Sequence, residues 1–148
     1  MKFSVVAALL LCAACASTQP PAPPAEEQDI NATVLAVYNV ISGPAGRRDW
    51  DRFTPLFAPG ARLIHGEKVM TPDEFAKASQ PYFQEHGFFE RPVANTIQRY
   101  GNIAHVWSPY ESRNKSDDEK PFARGVNSFQ LARVGGQWKI LTILWSEE

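Results

Sequence analysis

Cysteine is nearly absent from this chain. Of its 148 residues two are cysteines, Cys12 and Cys15, and none follows. A domain downstream of them therefore has no disulfide, no thiolate nucleophile and no cysteine metal ligand. The C-x-x-C spacing also lacks the context of a redox or zinc motif. No βαβ pattern surrounds it, and the nearest histidine, His65, lies beyond a proline-rich stretch. An excess of either charge is missing too: 15 Lys and Arg against 16 Asp and Glu leave a formal net charge of −1. That balance provides no electrostatic footprint for nucleic acid. The densest basic patch, Gly46-Arg47-Arg48, reads as solvated surface. No internal repeat is present. The N-terminal apolar run "FSVVAALLL" stops well short of the about 20 residues that a transmembrane helix needs.

What the N-terminus does have is the layout of an export signal. Lys2 supplies the basic start, the apolar run follows, and small residues come next. Two cleavage readings stay open. Ala13-Ala14-Cys15 resembles the bacterial lipobox, in which the cysteine is acylated and becomes the new N-terminus; Cys12 stands where that motif usually has Leu. Ala14-Cys15-Ala16 has the A-x-A form of an ordinary signal-peptidase site, which would release a soluble protein. The segment "STQPPAPPAEEQ" favours the first, because proline-rich chain stays extended and suits a tether between membrane and domain. The expected organisation is a signal peptide over residues 1–14, a proline-rich linker over 15–27 and one domain over 28–148. Cys15 is the expected lipidation site, and the cell envelope the expected location.

The domain starts with helices. Ile30, Val34, Val37, Tyr38 and Ile41 recur at helical spacing, and Gly43-Pro44-Ala45-Gly46 breaks that helix. "DWDRFTPLFAPG" predicts a second, short helix, and "ARLIHGEKVM" a small hairpin turning at His65–Lys68. Thr71, Pro72 and Glu74 form the signature of a capped third helix, running to about His86. The period then changes to two. "VANTIQRYG", "NIAHVWSPYESR", "ARGVNSFQLARV" and "WKILTILWS" are strand candidates, with Gly135-Gly136 as a tight turn between the last pair. Helices followed by mainly antiparallel strands predict an α+β fold, a curved sheet wrapped around a helical layer.

This order, together with "YNVISGPAGRRDWDRFTPLFAPGARLIHG" near the start and "GGQWKILTILWSEE" at the end, resembles the NTF2-like superfamily. That superfamily includes ketosteroid isomerase, scytalone dehydratase, limonene epoxide hydrolase and SnoaL-type cyclases, besides transport factors and proteins without a known role. The resemblance implies a cone whose open end is a pocket between sheet and helices. Set against ketosteroid isomerase, Tyr38 falls at that family's oxyanion-stabilising tyrosine, and His65 replaces its general-base aspartate. Ser128 replaces its second, protonated aspartic acid, and Trp145-Ser146-Glu147 coincides with its closing Trp-Ser-Glu. The isomerase set is therefore incomplete.

An imidazole near its ordinary pKa of about 6.5 can replace a carboxylate base, so Tyr38 and His65 could still serve proton abstraction, dehydration or water activation. The competing reading is structural: His65 caps a strand end and the Tyr38 hydroxyl sits at the rim. Alternation in "AHVWSPYESR" separates His105, Trp107 and Glu111 from Val106, Ser108 and Tyr110. The isomerase resemblance favours the first set as cavity-facing, unless Pro109 introduces a bulge. On this reading His65, Tyr38 and His105 are the catalytic candidates, and Trp107, Glu111, Ser128 and Trp145 line the ligand site. Asn127 and Ser128 must lie on opposite faces. No metal and no cofactor are implied. The expected partners are a hydrophobic small molecule and a second copy of the chain. The latter would pair through the outer sheet face, expected to carry Val106, Tyr110, Ile140, Thr142 and Leu144. Two functions stay open: acid/base catalysis of isomerase, lyase or hydrolase type, or non-catalytic binding of a ligand or protein.

Overall fold

A computed structural model describes residues 24–148. The expected signal peptide, Cys12, Cys15 and most of the expected linker lie outside the described residues. Helix α1 (Ala25–Ile41) starts within the segment read as linker and buries Ile30, Val34, Val37, Tyr38 and Ile41, the apolar positions of its sequence pattern. Helix α2 (Trp50–Phe53) continues as a single 3-10 turn through Leu56. Strand β1 (Phe57–His65) begins within the stretch assigned to that helix, and β2 (Lys68–Met70) pairs back on it. Helix α3 (Pro72–Glu85) carries the expected capping box: Glu74 N–H donates to Thr71 Oγ1 at 3.2 Å, and Thr71 N–H to Glu74 Oε2 at 2.7 Å.

Five more strands complete one sheet: β3 (Phe89–Pro92), β4 (Thr96–Tyr100), β5 (Ile103–Arg113), β6 (Ala123–Val134) and β7 (Gln137–Glu147). Its order is β2-β1-β7-β6-β5-β3, with β4 also on β5; β1 runs parallel to β7, and the other pairs are antiparallel. Gly135 and Gly136 both have positive φ, 58° and 81°, as a two-residue hairpin turn between β6 and β7 requires. The helices lie against the concave face. There Val106, Phe129, Leu131, Ile140 and Ile143 form the core with α1 and Phe53.

Two features of the sheet set which residues face inward. The first is Pro109, which causes no bulge: β5 pairs with β6 in unbroken register from Ile103 to Ser112. Val93 N–H donates to the Pro109 carbonyl, so the proline nitrogen faces the gap between β3 and β4, where no ladder partner is lost. Alternation through β5 is therefore strict, and Ala104, Val106, Ser108, Tyr110 and Ser112 are buried. The second is a register shift between β6 and β7 at Gln130/Leu131, which leaves Leu141 as an extra residue. It changes the phase of β7, so Ile140 and Ile143 are both buried while Leu144 faces out. Of the five residues expected on the outer face, Val106, Tyr110 and Ile140 instead belong to the core.

The patch read as solvated surface is also divided. Arg47 is exposed, but Arg48 is only 5% exposed. Its guanidinium donates to the carbonyls of Ile41, Gly43, Pro44 and Gly46, and lies 4.8 Å from the Phe83 ring centroid. A helix end leaves carbonyls without intrahelical partners, and a cation there satisfies them and complements the dipole.

Candidate functional site

Between the sheet and helices α1 and α3 lies a cavity of about 350 Å³, a volume within the range of small-molecule sites. Helix α3 supplies Phe75, Ser79, Tyr82 and Phe83 to its wall. The register of the concave face supplies the opposite wall in rows. Leu63, Ile143 and Phe129 form one row; Trp145 and Asn127 form the next; Glu147, Gly125 and Tyr110 form the third. Short strand β3 adds Glu90, opposite Ser112. That strand is positioned by the end of α1: Ser42 Oγ accepts from Glu90 N–H at 3.0 Å and donates to the Glu90 carbonyl at 2.9 Å.

The polar end of this cavity is one connected network. Ser112 Oγ donates to Glu90 Oε2 at 2.9 Å, and Asn127 Nδ2 donates to Glu90 Oε1 at 3.2 Å and to the Tyr38 hydroxyl at 3.0 Å. The Tyr38 hydroxyl in turn shares a 2.6 Å hydrogen bond with Ser108 Oγ. Burial dominates the electrostatics. It raises the Glu90 carboxyl to about 7, against the hydrogen bonds from Ser112 and Asn127; the charge of Glu147 adds to the rise. It also pushes the Tyr38 phenol up to about 12, so Tyr38 stays neutral and hydrogen-bonding at physiological pH. The Tyr110 phenol is raised by burial first and then by the charges of Glu90, Glu147 and Tyr38. A carboxyl that titrates near neutrality inside an apolar cavity can give or take a proton.

The residues singled out from sequence separate into three groups. Tyr38 and Trp145 are at the site: Trp145 lines the cavity, and Tyr38 stands behind Asn127 in the network. His65 sits at the end of β1, exposed, with its ring stacked on Trp145 at 5.0 Å between centroids, outside the cavity lining. The expected inward set on β5 is reversed. His105, Trp107 and Glu111 lie on the outer face, because their alternates, Ala104, Val106, Ser108, Tyr110 and Ser112, are uncharged and pack under the helices. Ser128 is likewise outside and hydrogen-bonds His105 Nε2 at 3.0 Å. Glu111 forms ion pairs with Arg113, Arg124 and Arg91, and the hydrogen bond from Arg113 is the main cause of its lowered pKa. His65, His105 and Glu111 are thus not brought together. Among the described residues no cluster of metal-ligating side chains forms.

Sequence reasoning missed Glu90, because "FERP" is four residues with two charges and a proline, and carries no strand periodicity. Asn127 was within reach. It shares alternation with Phe129 and Leu131, the bulky apolar pair of β6, and the side that carries them must face the core.

Residues 30–146 match the family model described as SnoaL-like domain. None of the curated proteins matches the sequence. Several solved structures share the fold. A protein of unknown function with a cystatin-like fold from Nostoc punctiforme aligns with a TM-score of 0.70 at 12% identity, covering 82% of this chain and 90% of that one. A proposed dehydratase of the NTF2-like family from Streptomyces avermitilis aligns with a TM-score of 0.66 at 13% identity, over 83% of this chain and 96% of that one. A proposed ketosteroid isomerase from Shewanella frigidimarina aligns with a TM-score of 0.60 at 18% identity, over 78% and 92% respectively. Identities this low speak for the fold alone. With the family model spanning nearly all of the described domain, the fold is NTF2-like and the chain belongs to the SnoaL-like domain family.

Proposed function

We propose that this domain binds a hydrophobic small molecule in the cone and exchanges a proton with it through Glu90, in acid/base chemistry of isomerase, lyase or hydrolase type. The observation that carries this reading is the Glu90 carboxyl, held by Ser112 and Asn127 at the wall of an apolar cavity and titrating near 7. It takes the place that the sequence suggested for His65, which stands outside the lining. Tyr38 supports the site by fixing Asn127. Native mass spectrometry of the full chain purified from its own membranes tests the reading. A bound organic mass is expected, and Ala78→Trp, which fills the chamber from α3, should remove it. A chain that carries no ligand, or one whose ligand persists in that variant, would count against it. Where a ligand is found, Glu90→Gln should stop its conversion, while His105→Ala on the outer face should not.

The same reading places the domain at the cell envelope, tethered by lipid on Cys15, and paired with a second copy through the outer sheet face. The export layout of residues 1–14 and the proline-rich segment support the tether. Intact-mass measurement of the mature chain distinguishes an acylated N-terminal Cys15 from a chain that begins at Ser17.

A further inference from the structure

The chemistry of the chamber is one-sided. Eight of its lining residues are aromatic, two are carboxylic acids, Glu90 and Glu147, and none is Lys, Arg or His. The cations close by are committed elsewhere. Arg48 lies over Phe83 outside the lining, with its N–H groups given to backbone carbonyls. His65 is outside as well, stacked on Trp145.

A second observation is independent of the acids. Tyr110 is 3% exposed and lines the chamber, and its hydroxyl makes no hydrogen bond to any described residue. It reaches across Gly125 on the row that ends at Glu147. A Cβ on Gly125 would stand 2.6 Å from the Tyr110 hydroxyl, so only glycine leaves room for that side chain. That hydroxyl opens to the chamber and is free to hydrogen-bond a polar atom of a ligand there.

An anionic ligand would bring like charges together with no cation to offset them. A purely apolar one would leave the Tyr110 hydroxyl unsatisfied. A cation meets favourable partners throughout: carboxylates for charge-assisted hydrogen bonds, and aromatic faces for cation–π attraction. We propose that the chamber selects a hydrophobic amine, its apolar body against the aromatic wall and its ammonium group between the carboxylates of Glu90 and Glu147, beside the Tyr110 hydroxyl. This inference rests on the small-molecule reading above and narrows its ligand class.

The test uses three probes of one shape on the full chain: 1-naphthylmethylamine, 1-naphthalenemethanol and 1-naphthoic acid, titrated by calorimetry at pH 7.5. The amine should bind at least about tenfold more tightly than the alcohol, and the acid most weakly. Glu147→Gln, an exposed position that leaves the core untouched, should cut amine affinity by about fivefold to tenfold and leave the alcohol within about twofold. Glu90→Gln should act in the same direction. Equal binding of amine and alcohol, or no effect of Glu147→Gln on their ratio, would overturn the amine inference and leave the small-molecule reading standing. Failure of all three probes to bind would remove both.

Discussion

Glu90 is the residue on which the chemistry turns, and its pKa makes a stability prediction. Its carboxyl titrates near 7 in the folded protein and near 4.5 when unfolded, so the folded state binds the extra proton between those values. Stability is full below about pH 4.5 and falls as pH rises through 7, by up to about 3 kcal/mol from this group. Glu90→Gln should flatten that slope in urea titrations at pH 5, 6, 7 and 8; an unchanged slope would show that another group carries it. Gly125 is the second test at this scale. In Gly125→Ala the new Cβ would approach the Ser146 carbonyl and the Tyr110 hydroxyl below van der Waals contact. The expected cost is about 1–3 kcal/mol, with loss of the site's geometry before loss of the fold. A thermal melt paired with probe binding separates those two effects.

At the scale of elements, the end of α1 holds the site together. Ser42 fastens the backbone of Glu90, and Gly43 pairs with Phe88 in a two-way backbone bridge. Arg48 gathers the carbonyls around the same corner. Arg48→Met keeps the packing on Phe83 but leaves those carbonyls unpaired, and should destabilise by about 2–4 kcal/mol in chemical denaturation. A loss under about 1 kcal/mol would mean that water replaces the guanidinium without penalty. The capping box of α3 was legible in Thr71, Pro72 and Glu74 because a cap is a local arrangement of adjacent residues. The short β3 was not, because a four-residue charged strand forms only where a neighbouring edge and a helix end hold it.

For the whole molecule, the outer face of the sheet is the surface that calls for a partner. The register aligns Val69, Ile64, Leu144, Ser128, Trp107 and Thr96 in one transverse row, and Trp107 and Leu144 are each 49% exposed. This row replaces the set expected from sequence, of which only Thr142 and Leu144 face outward. Its apolar members, Val69, Ile64, Leu144 and Trp107, are interrupted by Ser128 and are the surface through which the proposed dimer would pair. Trp107→Glu with Leu144→Glu should shift sedimentation from dimer to monomer while the melting temperature at low protein concentration stays within a few degrees of wild type. A wild-type monomer at high concentration would remove the dimer from the proposal.

The fold class, the helix faces, the capped third helix and the hairpin at Gly135-Gly136 were all legible along the chain. Each of these depends on spacing or on adjacent residues, and such signals survive without knowledge of the rest of the chain. The sequence also brought Tyr38 and Trp145 to the site by resemblance. Which face of each strand is inside was settled by packing across the sheet and helices. Period two separates the two faces of a strand but does not label them, and a single extra residue such as Leu141 exchanges them partway. For that reason His105, Trp107, Glu111 and Ser128 ended on the outer surface, while Tyr110 and Asn127 line the cavity with Glu90, and Ser108 and Ser112 join the buried network beside it.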